Sequence, residues 1–473
     1  MTTKHSLGAL AICMAMALQT TGADSPQSCW LQDDRGRHFL PHGYVTITED
    51  TVGPVHYTAD DYRRMRRYGA NCQVIRLSLA KLGGWPGYEL HDGYLQKLDE
   101  MVQLGRQAGL KTAFKMTVYG IRNFNKEKGW DQLLSSDDHQ RYLIETWKKL
   151  WTRYHKEPSV FGYDLLNEPF RGSLNESYEQ VTRERLVPLY RKLIDRLRRI
   201  SPDKWAIYQP LLLDMADRGP GKLPMAPMDI SLERERIIFA PHGYFPNARM
   251  HEEAVERHLQ EAALSAARLM MGEWGRQTYE IHDVSLAEQL KYQQLYADLA
   301  NLFDSRHMGA IKPWFTGTRR PGKYTWSIFS DSAAVGSVER KYIVDVVARP
   351  FPLFMAGNVI DFDYDFATRL LTVDFTPNRD TGPSEIFVGE NRHYPDGFTV
   401  VYNGHIAFVH EPDPKTHLES TPSAFRFDQS SQRLIVARWP AGSDHGRLQI
   451  RPGVLSSLPA PDAGKAAPSP TNQ

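Results

Sequence analysis

The sequence is poor in cysteine, in net charge and in long apolar runs. Its 473 residues include 3 cysteines, and 57 basic side chains balance 56 acidic ones, which gives a formal net charge of +1. Such a balance creates no general attraction for phosphate backbones or acidic membranes, so we predict no nucleic-acid partner. The sequence also lacks a Cys/His cluster with zinc spacing and a phosphate-binding glycine loop. We therefore predict no metal and no cofactor.

The one sustained apolar run lies at the N-terminus. Lys4 precedes residues 7–18, and small or polar residues follow as far as Ala23. A run of about 12 residues is too short to span a membrane, which needs about 20. The pattern is typical of a secretory signal peptide over residues 1–23, with an uncleaved anchor as the alternative. We predict a secreted or periplasmic protein with no stable membrane insertion.

Two cysteines, Cys29 and Cys72, remain after the predicted cleavage. Export would allow them to form a disulfide. Two separate thiols are the alternative, and the sequence does not decide between them.

Short β-branched apolar segments alternate with longer helical patterns through most of the chain, which is typical of parallel βα units. Eight such segments lie at 38–46, 72–79, 111–118, 160–166, 205–209, 237–240, 269–272 and 310–315. Helical spacing recurs at 94–108, 139–154, 178–199, 251–267 and 286–305. Eight units predict an α/β fold, a (β/α)8 TIM barrel over residues 30–349. A doubly wound open sheet is the alternative.

The pattern changes after Arg349-Pro350. Short, often alternating segments follow at 359–365, 367–375, 385–388, 399–402, 405–410, 424–428 and 433–439. Asn403-Gly404 between two of them is a strong hairpin signal. We predict a C-terminal antiparallel β-sandwich over 350–452. The remaining residues, 453–473, are rich in Pro, Ala and Ser and predict a disordered tail.

Two glutamates stand where the fourth and seventh predicted strands end. Glu168 lies in the string Asn-Glu-Pro and Glu273 in Gly-Glu-Trp-Gly, 105 residues apart, which is the length of three βα units. Barrel enzymes carry their active sites at the carboxyl ends of the strands. A single glutamate there is usually solvated or salt-bridged, but two facing carboxylates are what cleavage of a glycosidic bond requires. The spacing therefore favours glycosidic cleavage.

The strings Gly-Tyr-Asp-Leu-Leu-Asn-Glu-Pro-Phe at 162–170 and Gly-Glu-Trp-Gly at 272–275 resemble the catalytic motifs of glycoside hydrolase family 5, in the retaining 4/7 clan. The order of barrel and sandwich resembles the endoglycoceramidase-like branch. The resemblance implies that Glu168 is the acid/base and Glu273 the nucleophile of a hydrolase. It implies a retaining β-glycosidase, expected to be a monomer, that acts on a glycolipid or oligosaccharide. An endo-glucanase or mannanase acting on an exopolysaccharide and a non-catalytic carbohydrate-binding barrel are the alternatives.

The resemblance also assigns substrate-binding positions. It implies that Arg76 contacts the nucleophile, that Asn167 binds a sugar hydroxyl and that Trp314 forms a platform beneath the sugar. In Pro-His-Gly-Tyr at 241–244, it implies that Tyr244 orients the nucleophile while His242 binds substrate or the acid/base. A structural ion pair for Arg76 and core packing for Trp314 are the alternatives.

The third strand departs from the family pattern because it lacks the usual histidine. Its end reads Phe-Lys-Met-Thr-Val-Tyr-Gly at 114–120, so Lys115, Thr117 or Tyr119 is expected to fill part of that space. His42, in a second Pro-His-Gly-Tyr string at 41–44, either compensates as a substrate-binding residue or packs structurally. An apolar groove for a lipid, or simple loop packing, would use Leu82, Trp85, Phe124, Trp130 and Phe245.

Overall fold

Eight parallel strands close into a barrel at the centre of the protein. The computed structural model describes residues 29–50, 53–83, 89–118, 128–214, 217, 225–276, 278–279, 285–316, 324–329, 338–412, 424–442 and 444–455. The predicted signal peptide, most of the predicted tail, and Tyr119, Trp85 and Phe124 therefore lie outside the described residues.

The barrel strands are paired in chain order, and the last pairs with the first. They are β1 (His42–Ile47), β2 (Cys72–Ser78), β3 (Lys111–Thr117), β4 (Val160–Asp164), β5 (Trp205–Tyr208), β6 (Ile237–Phe239), β7 (Arg268–Met271) and β8 (Gly309–Lys312). Their side chains are almost all buried, because the barrel interior covers one face and the helices cover the other. The predicted TIM barrel is confirmed, and the open sheet is excluded.

Helices connect the strands on the outside of the barrel. They are α1 (Ala59–Arg67), α2 (Leu79–Leu82), α3 (Asp92–Gln107), α4 (Lys128–Ser135), α5 (Asp137–Tyr154), α6 (Tyr178–Val181), α7 (Val187–Ile200), α8 (Ala248–Leu264), α9 (Leu286–Ser305) and α10 (Lys341–Val347). A π-helical turn, Thr182–Leu186, joins α6 to α7. Local chemistry fixes their starts, since Thr58 and Asp61 form a capping box on α1 and Asn247 caps α8. No described helix has the length and apolar character needed to cross a membrane.

The C-terminal part is a pair of antiparallel sheets. The strands are β9 (Phe351–Phe354), β10 (Gly357–Asp365), β11 (Leu370–Pro377), β12 (Ser384–Phe387), β13 (Phe398–Tyr402), β14 (His405–His410), β15 (Phe425–Asp428), β16 (Arg433–Val436) and β17 (Gly446–Pro452), with the short helix α11 (Glu390–His393). One sheet has the order β9-β12-β16-β15 and the other β10-β11-β17-β13-β14. The predicted sandwich is confirmed, although β9 and β17 were not predicted.

Two-residue strands complete the description: Leu31–Gln32, His38–Phe39, Glu49–Asp50, Gly53–Pro54, His242–Gly243, Glu273–Trp274, Thr278–Tyr279 and Tyr324–Thr325. The predicted first strand, 38–46, is in fact two elements. His38–Phe39 pairs with Leu31–Gln32, and the barrel strand itself begins only at His42. This later start decides where His42 lies.

Charged side chains fasten the sandwich to the barrel. Arg433, with a fully buried side chain, donates to the carbonyl of Ala70 at 2.7 Å and to Glu385 Oε2 at 2.6 Å. Arg37 donates to the other oxygen of Glu385 at 2.9 Å. Since Ala70 lies just before β2, these bonds tie the sandwich to the end of the barrel where the strands begin.

Candidate active site

The two glutamates lie at the opposite end of the barrel, where the strands finish. Glu168 stands four residues beyond the end of β4 with a φ of 48°, a left-handed conformation that is uncommon outside glycine. The backbone N–H of Glu168 donates a hydrogen bond to the side-chain oxygen of Gln209 at 2.8 Å. The Glu168 side chain is 24% exposed. It is therefore held by the backbone while its carboxyl group remains open to a ligand.

Glu273 lies just beyond β7 and is buried. Its short strand pairs in parallel with His242–Gly243, so that His242 is the direct partner of Glu273. Gly272 permits this close approach, because a Cβ there would stand 2.7 Å from the carbonyl oxygen of Ala240. The glycine is thus needed for the local register that brings His242 and Glu273 side by side.

Two donors hold the Glu273 carboxylate. Tyr244 donates to Oε2 at 2.5 Å, and the Lys115 ammonium donates to Oε1 at 3.0 Å. Burial pushes the pKa of Glu273 up. The electrostatic influence of His242 and Lys115 outweighs burial and, with the hydrogen bonds from Tyr244 and Lys115, lowers this pKa to about 2. Glu273 is ionised and oriented at neutral pH, as a nucleophile requires.

His242 lies between the two glutamates. Its Nε2 is 3.2 Å from Lys115 Nζ, and its Nδ1 is 2.9 Å from Glu168 Oε1 and 3.7 Å from Glu273 Oε2. A lysine ammonium can only donate, so Nε2 accepts and Nδ1 carries the proton that is donated to Glu168. The hydrogen bonds therefore assign the tautomer of His242.

The glutamates and His242 form one compact set, since ligand atoms of Glu168, His242 and Glu273 all lie within 4.8 Å of one another. Two carboxylates and an imidazole could in principle hold a cation. The Lys115 ammonium, however, already bonds to Glu273 and His242 and supplies the positive charge there. The arrangement of this set suits proton transfer and nucleophilic attack.

Arg76 does not occupy the position expected of it. Its Nε donates to Thr117 Oγ1 at 3.0 Å, and its guanidinium carbon lies 5.1 Å from the centroid of the Trp314 ring. The cation bonded to Glu273 is Lys115, from the neighbouring strand β3 and directly opposite Arg76 in register. Arg76 instead packs against Trp314, which is partly buried at the end of β8.

Asn167 directly precedes Glu168 and is 4% exposed. Its side-chain oxygen is buried and has no hydrogen-bond partner within the described residues. Buried polar atoms are normally hydrogen-bonded, so the side-chain oxygen of Asn167, beside Glu168 and Glu273, is available to a ligand.

The structure does not bring His42 into this cluster, and the prediction that it binds substrate was wrong. His42 is the first residue of β1, at the end of the barrel remote from Glu168 and Glu273. Its Nε2 lies 3.1 Å from the carbonyl oxygen of Val347, and its ring packs 4.5 Å from that of Phe351. These contacts give His42 a structural place between barrel and sandwich.

The described part of the proposed apolar groove is packed core. Leu82, Trp130 and Phe245 are 0–2% exposed, so they offer no open surface to a lipid. Cys29 and Cys72 are both buried thiols and do not form a disulfide with each other. Burial raises the pKa of both thiols.

Sequence reasoning missed two polar residues beneath the glutamates. Asp164 is 1% exposed and accepts a hydrogen bond from Gln209 Nε2 at 2.6 Å. Through its other side-chain atom, Gln209 holds the backbone of Glu168. A charged or amide side chain in an otherwise apolar segment was the available signal, since Asp164 ends β4 and Gln209 directly follows β5.

Comparison with known families agrees with this geometry. The sequence profile described as Cellulase (glycosyl hydrolase family 5) matches residues 46–307, and that of the glycoside hydrolase family 5 C-terminal domain matches 349–450. The chain belongs to glycoside hydrolase family 5. The predicted family is thereby confirmed, and with it the class of glycoside hydrolases.

Similar proteins point to one branch of family 5. The chain is 22% identical over 273 residues to an endoglycoceramidase of Cyanea nozakii, covering 54% of this chain and 51% of that one. It thus spans about half the length of this curated relative. The predicted endoglycoceramidase-like branch is supported by this match and by the fold.

Several solved structures share the fold over most of the chain. Endo-glycoceramidase II from Rhodococcus sp. has a TM-score of 0.67 at 18% identity, covering 90% of this chain and 100% of that one. Other structures of that enzyme contain ganglioside GM3 or are a lactosyl-enzyme intermediate. Sterylglucosidase 1 of Cryptococcus neoformans has a TM-score of 0.61 at 11% identity, covering 92% and 99%.

Proposed function

We propose that this family 5 chain is an exported, retaining β-glycosidase that cleaves the bond between the sugar and the lipid of a glycolipid. The observation that carries the proposal is the placement of Glu168 and Glu273 with oxygens within 4.8 Å of each other, and with His242 hydrogen-bonded to Glu168. Retaining enzymes hold their two carboxyl groups about 5–5.5 Å apart, whereas inverting enzymes separate them by about 6.5–9.5 Å to admit a water.

In the first step, an oxygen of the Glu273 carboxylate attacks the anomeric carbon. A bond forms between Glu273 and the sugar, the glycosidic carbon–oxygen bond breaks, and Glu168 gives its proton to the leaving oxygen. Because Glu168 Oε1 accepts a hydrogen bond from His242, the acidic proton resides on Oε2, the oxygen left for the substrate. The Nδ1–H of His242 thus directs the proton of the general acid.

In the second step, Glu168 removes a proton from water, and the water oxygen attacks the anomeric carbon. The ester bond breaks, Glu273 regains its charge, and the sugar leaves with its original anomeric configuration. The unpaired oxygen of Asn167 would accept a hydrogen bond from the sugar, and the Trp314 ring would support the sugar's apolar face.

Glycolipid as substrate is supported by the relatives. The Cyanea nozakii and Rhodococcus proteins carry the name endoglycoceramidase, and the latter has been solved with ganglioside GM3. The lactosyl-enzyme intermediate of the Rhodococcus protein supports a covalent, retaining route. A glucan is the second candidate, favoured by the cellulase description of the profile over 46–307.

A substrate and stereochemistry screen tests the proposal. Purified mature protein is incubated with aryl β-glycosides, soluble glucans and glycosphingolipids, and the first-formed anomer is read by proton NMR. We expect release of an intact oligosaccharide from glycosphingolipid, first seen as the β-anomer. Turnover of glucans alone would show that the substrate is a glucan and not a glycolipid. An α-anomer as first product would exclude retention. No turnover of any glycoside would overturn the proposed function.

Export is tested separately. Lys4 and the apolar run 7–18 support a cleaved leader. We expect the full-length gene expressed in a bacterial host to give a periplasmic or secreted protein whose intact mass lacks residues up to Ala23. A mass that includes Lys4 would contradict cleavage.

A further inference from the structure

Lys115 is a lysine buried in the barrel interior, with a side chain that is 1% exposed. Its ammonium has three donors and finds three acceptors: Gly272 O at 3.3 Å, His242 Nε2 at 3.2 Å and Glu273 Oε1 at 3.0 Å. A buried ammonium is costly unless it is paired with a charge and fully hydrogen-bonded. In the free enzyme, Glu273 supplies that charge.

A second carboxylate lies just beyond hydrogen-bond distance. Asp164 is the register partner of Lys115 on the neighbouring strand, and its Oδ2 is 3.8 Å from Lys115 Nζ. Gln209 holds Oδ2 at 2.6 Å, while Oδ1 is buried and has no hydrogen-bond partner within the described residues. Asp164 thus carries an unused acceptor next to a lysine whose three donors are all engaged.

We propose that Lys115 is a positioning residue that exchanges its counter-ion during turnover, pairing with Glu273 in the free enzyme and with Asp164 once Glu273 is esterified to the sugar. The inference rests on the proposed function, because it follows from the covalent step. When Glu273 forms a bond to the anomeric carbon, its negative charge is lost, while the Lys115 ammonium stays buried. Asp164 is then the carboxylate that neutralises it.

The charged groups around Lys115 set the pH range in which Asp164 can act as its counter-ion. Side chains that face Glu273 come from four barrel strands or the loops after them: Lys115 from β3, Asp164 and Glu168 from β4, His242 and Tyr244 from β6, and Lys312 from β8. Burial raises the pKa of Asp164 to about 6, against the opposing influence of Lys115 and His242. Asp164 is therefore ionised and able to serve as counter-ion above about pH 6.

The test uses Lys115→Met, Asp164→Asn and a control, Lys204→Met. Lys204 is a buried lysine at the other end of the barrel, bonded to the carbonyl of Glu157 at 3.1 Å. The Asp164→Asn side chain keeps an oxygen for Gln209 and removes only the charge. If Lys115→Met does not fold, as judged by circular dichroism, Lys115→Gln replaces it. The readouts are the pH profile of kcat/KM on an aryl glycoside and the lifetime of the intermediate trapped with its 2-deoxy-2-fluoro analogue.

Without Lys115, the acidic limb of kcat/KM should move up by about one pH unit or more, because Glu273 loses a charge that favours its ionised form. In Asp164→Asn, the acidic limb should not rise. The trapped intermediate should instead decay about threefold faster or more, because the buried ammonium lacks a counter-ion there. An unchanged pH profile in Lys115→Met, or an intermediate in Asp164→Asn as long-lived as in Lys204→Met, would overturn the proposal.

Failure of the proposed function is distinguishable from failure of this inference. If the wild type cleaves no glycoside, the proposed function fails. Carbon-13 NMR titration of the side-chain carboxylates in wild type and Lys115→Met then reads the pairing directly, with Glu273→Gln identifying the resonance. An unshifted Glu273 titration would overturn the pairing of Lys115 with Glu273, and with it the exchange.

Discussion

His242 Nδ1 donates to Glu168 Oε1 across 2.9 Å, while the other nitrogen of the same ring accepts from Lys115. The histidine therefore bonds to Glu168 rather than to Glu273, from which its Nδ1 is 3.7 Å away. One ring thus connects a lysine on β3 to a glutamate beyond β4. This relationship leads to the first prediction.

His242→Ala should impair acid catalysis selectively. We expect kcat/KM to fall by about 10²–10³ on glycosides with poor leaving groups, since general acid catalysis contributes about 10²–10⁴. The loss should be much smaller on 2,4-dinitrophenyl glycosides, whose leaving group needs no proton. Equal losses across a series of aryl glycosides would show that His242 does not direct the proton of Glu168.

Azide should distinguish the catalytic roles proposed for Glu168 and Glu273. In Glu273→Ala, hydrolysis should cease, and azide entering the vacated space should give a glycosyl azide of inverted configuration. In Glu168→Ala, azide should attack the covalent intermediate and give the retained anomer. The products are identified by NMR, and the same anomer from both variants would contradict the assigned roles.

Acid should weaken the joint between barrel and sandwich. Burial raises the pKa of Glu385, but Arg433 and Arg37 outweigh it and lower that pKa to about 2. Because the pKa of Glu385 is lower in the folded protein than the ordinary value of about 4.5, its carboxylate stabilises the fold at pH values above 4.5. This stabilisation is lost as the pH falls towards 2. Glu385→Gln should therefore reduce the free energy of unfolding at pH 7 by about 3 kcal/mol, and by progressively less below pH 4.5.

The control for Glu385 is Glu253→Gln. Glu253 pairs with Arg249 on the exposed face of α8, where an ion pair contributes about 0–1 kcal/mol. Denaturant unfolding at pH 7, 4 and 3 gives the comparison. A Glu385→Gln penalty that is the same at every pH would show that the carboxylate charge is not what fastens the sandwich.

Chelators should leave activity unchanged. Glu168, His242 and Glu273 have the donor atoms of a metal site, but Lys115 bonds to two of the three. Overnight dialysis against EDTA should not alter kcat/KM on an aryl glycoside. A loss restored by a divalent cation would indicate that this set binds a metal instead of transferring protons.

The repeated string Pro-His-Gly-Tyr shows what sequence can and cannot predict here. At 241–244 it follows β6 and places His242 and Tyr244 on the two glutamates. At 41–44 the same four residues lie at the start of β1, which begins at His42, so His42 lies at the other end of the barrel. The strands themselves were predictable, because buried parallel strands form continuous apolar runs. Their exact starts were not, and one strand boundary decided the role of His42.

The contacts of Lys115 were beyond sequence reasoning for a different reason. Its place on β3 was predictable, but its partners Gly272 and Glu273 lie about 157 residues away along the chain. Only closure of the barrel brings them together. The departure from the family pattern on this strand was visible in the sequence, whereas the bond of Lys115, rather than Arg76, to Glu273 was not.

The hydrogen bond from Arg433 to the carbonyl of Ala70 limits how chimeric enzymes can be built from this fold. A barrel excised at 349 would leave the carbonyl of Ala70 without its donor, while the isolated sandwich would expose Arg433, which is buried in the intact chain. A chimera should therefore exchange residues 29–455 as one cassette, and new sugar specificities should be grafted into the loops after the strands.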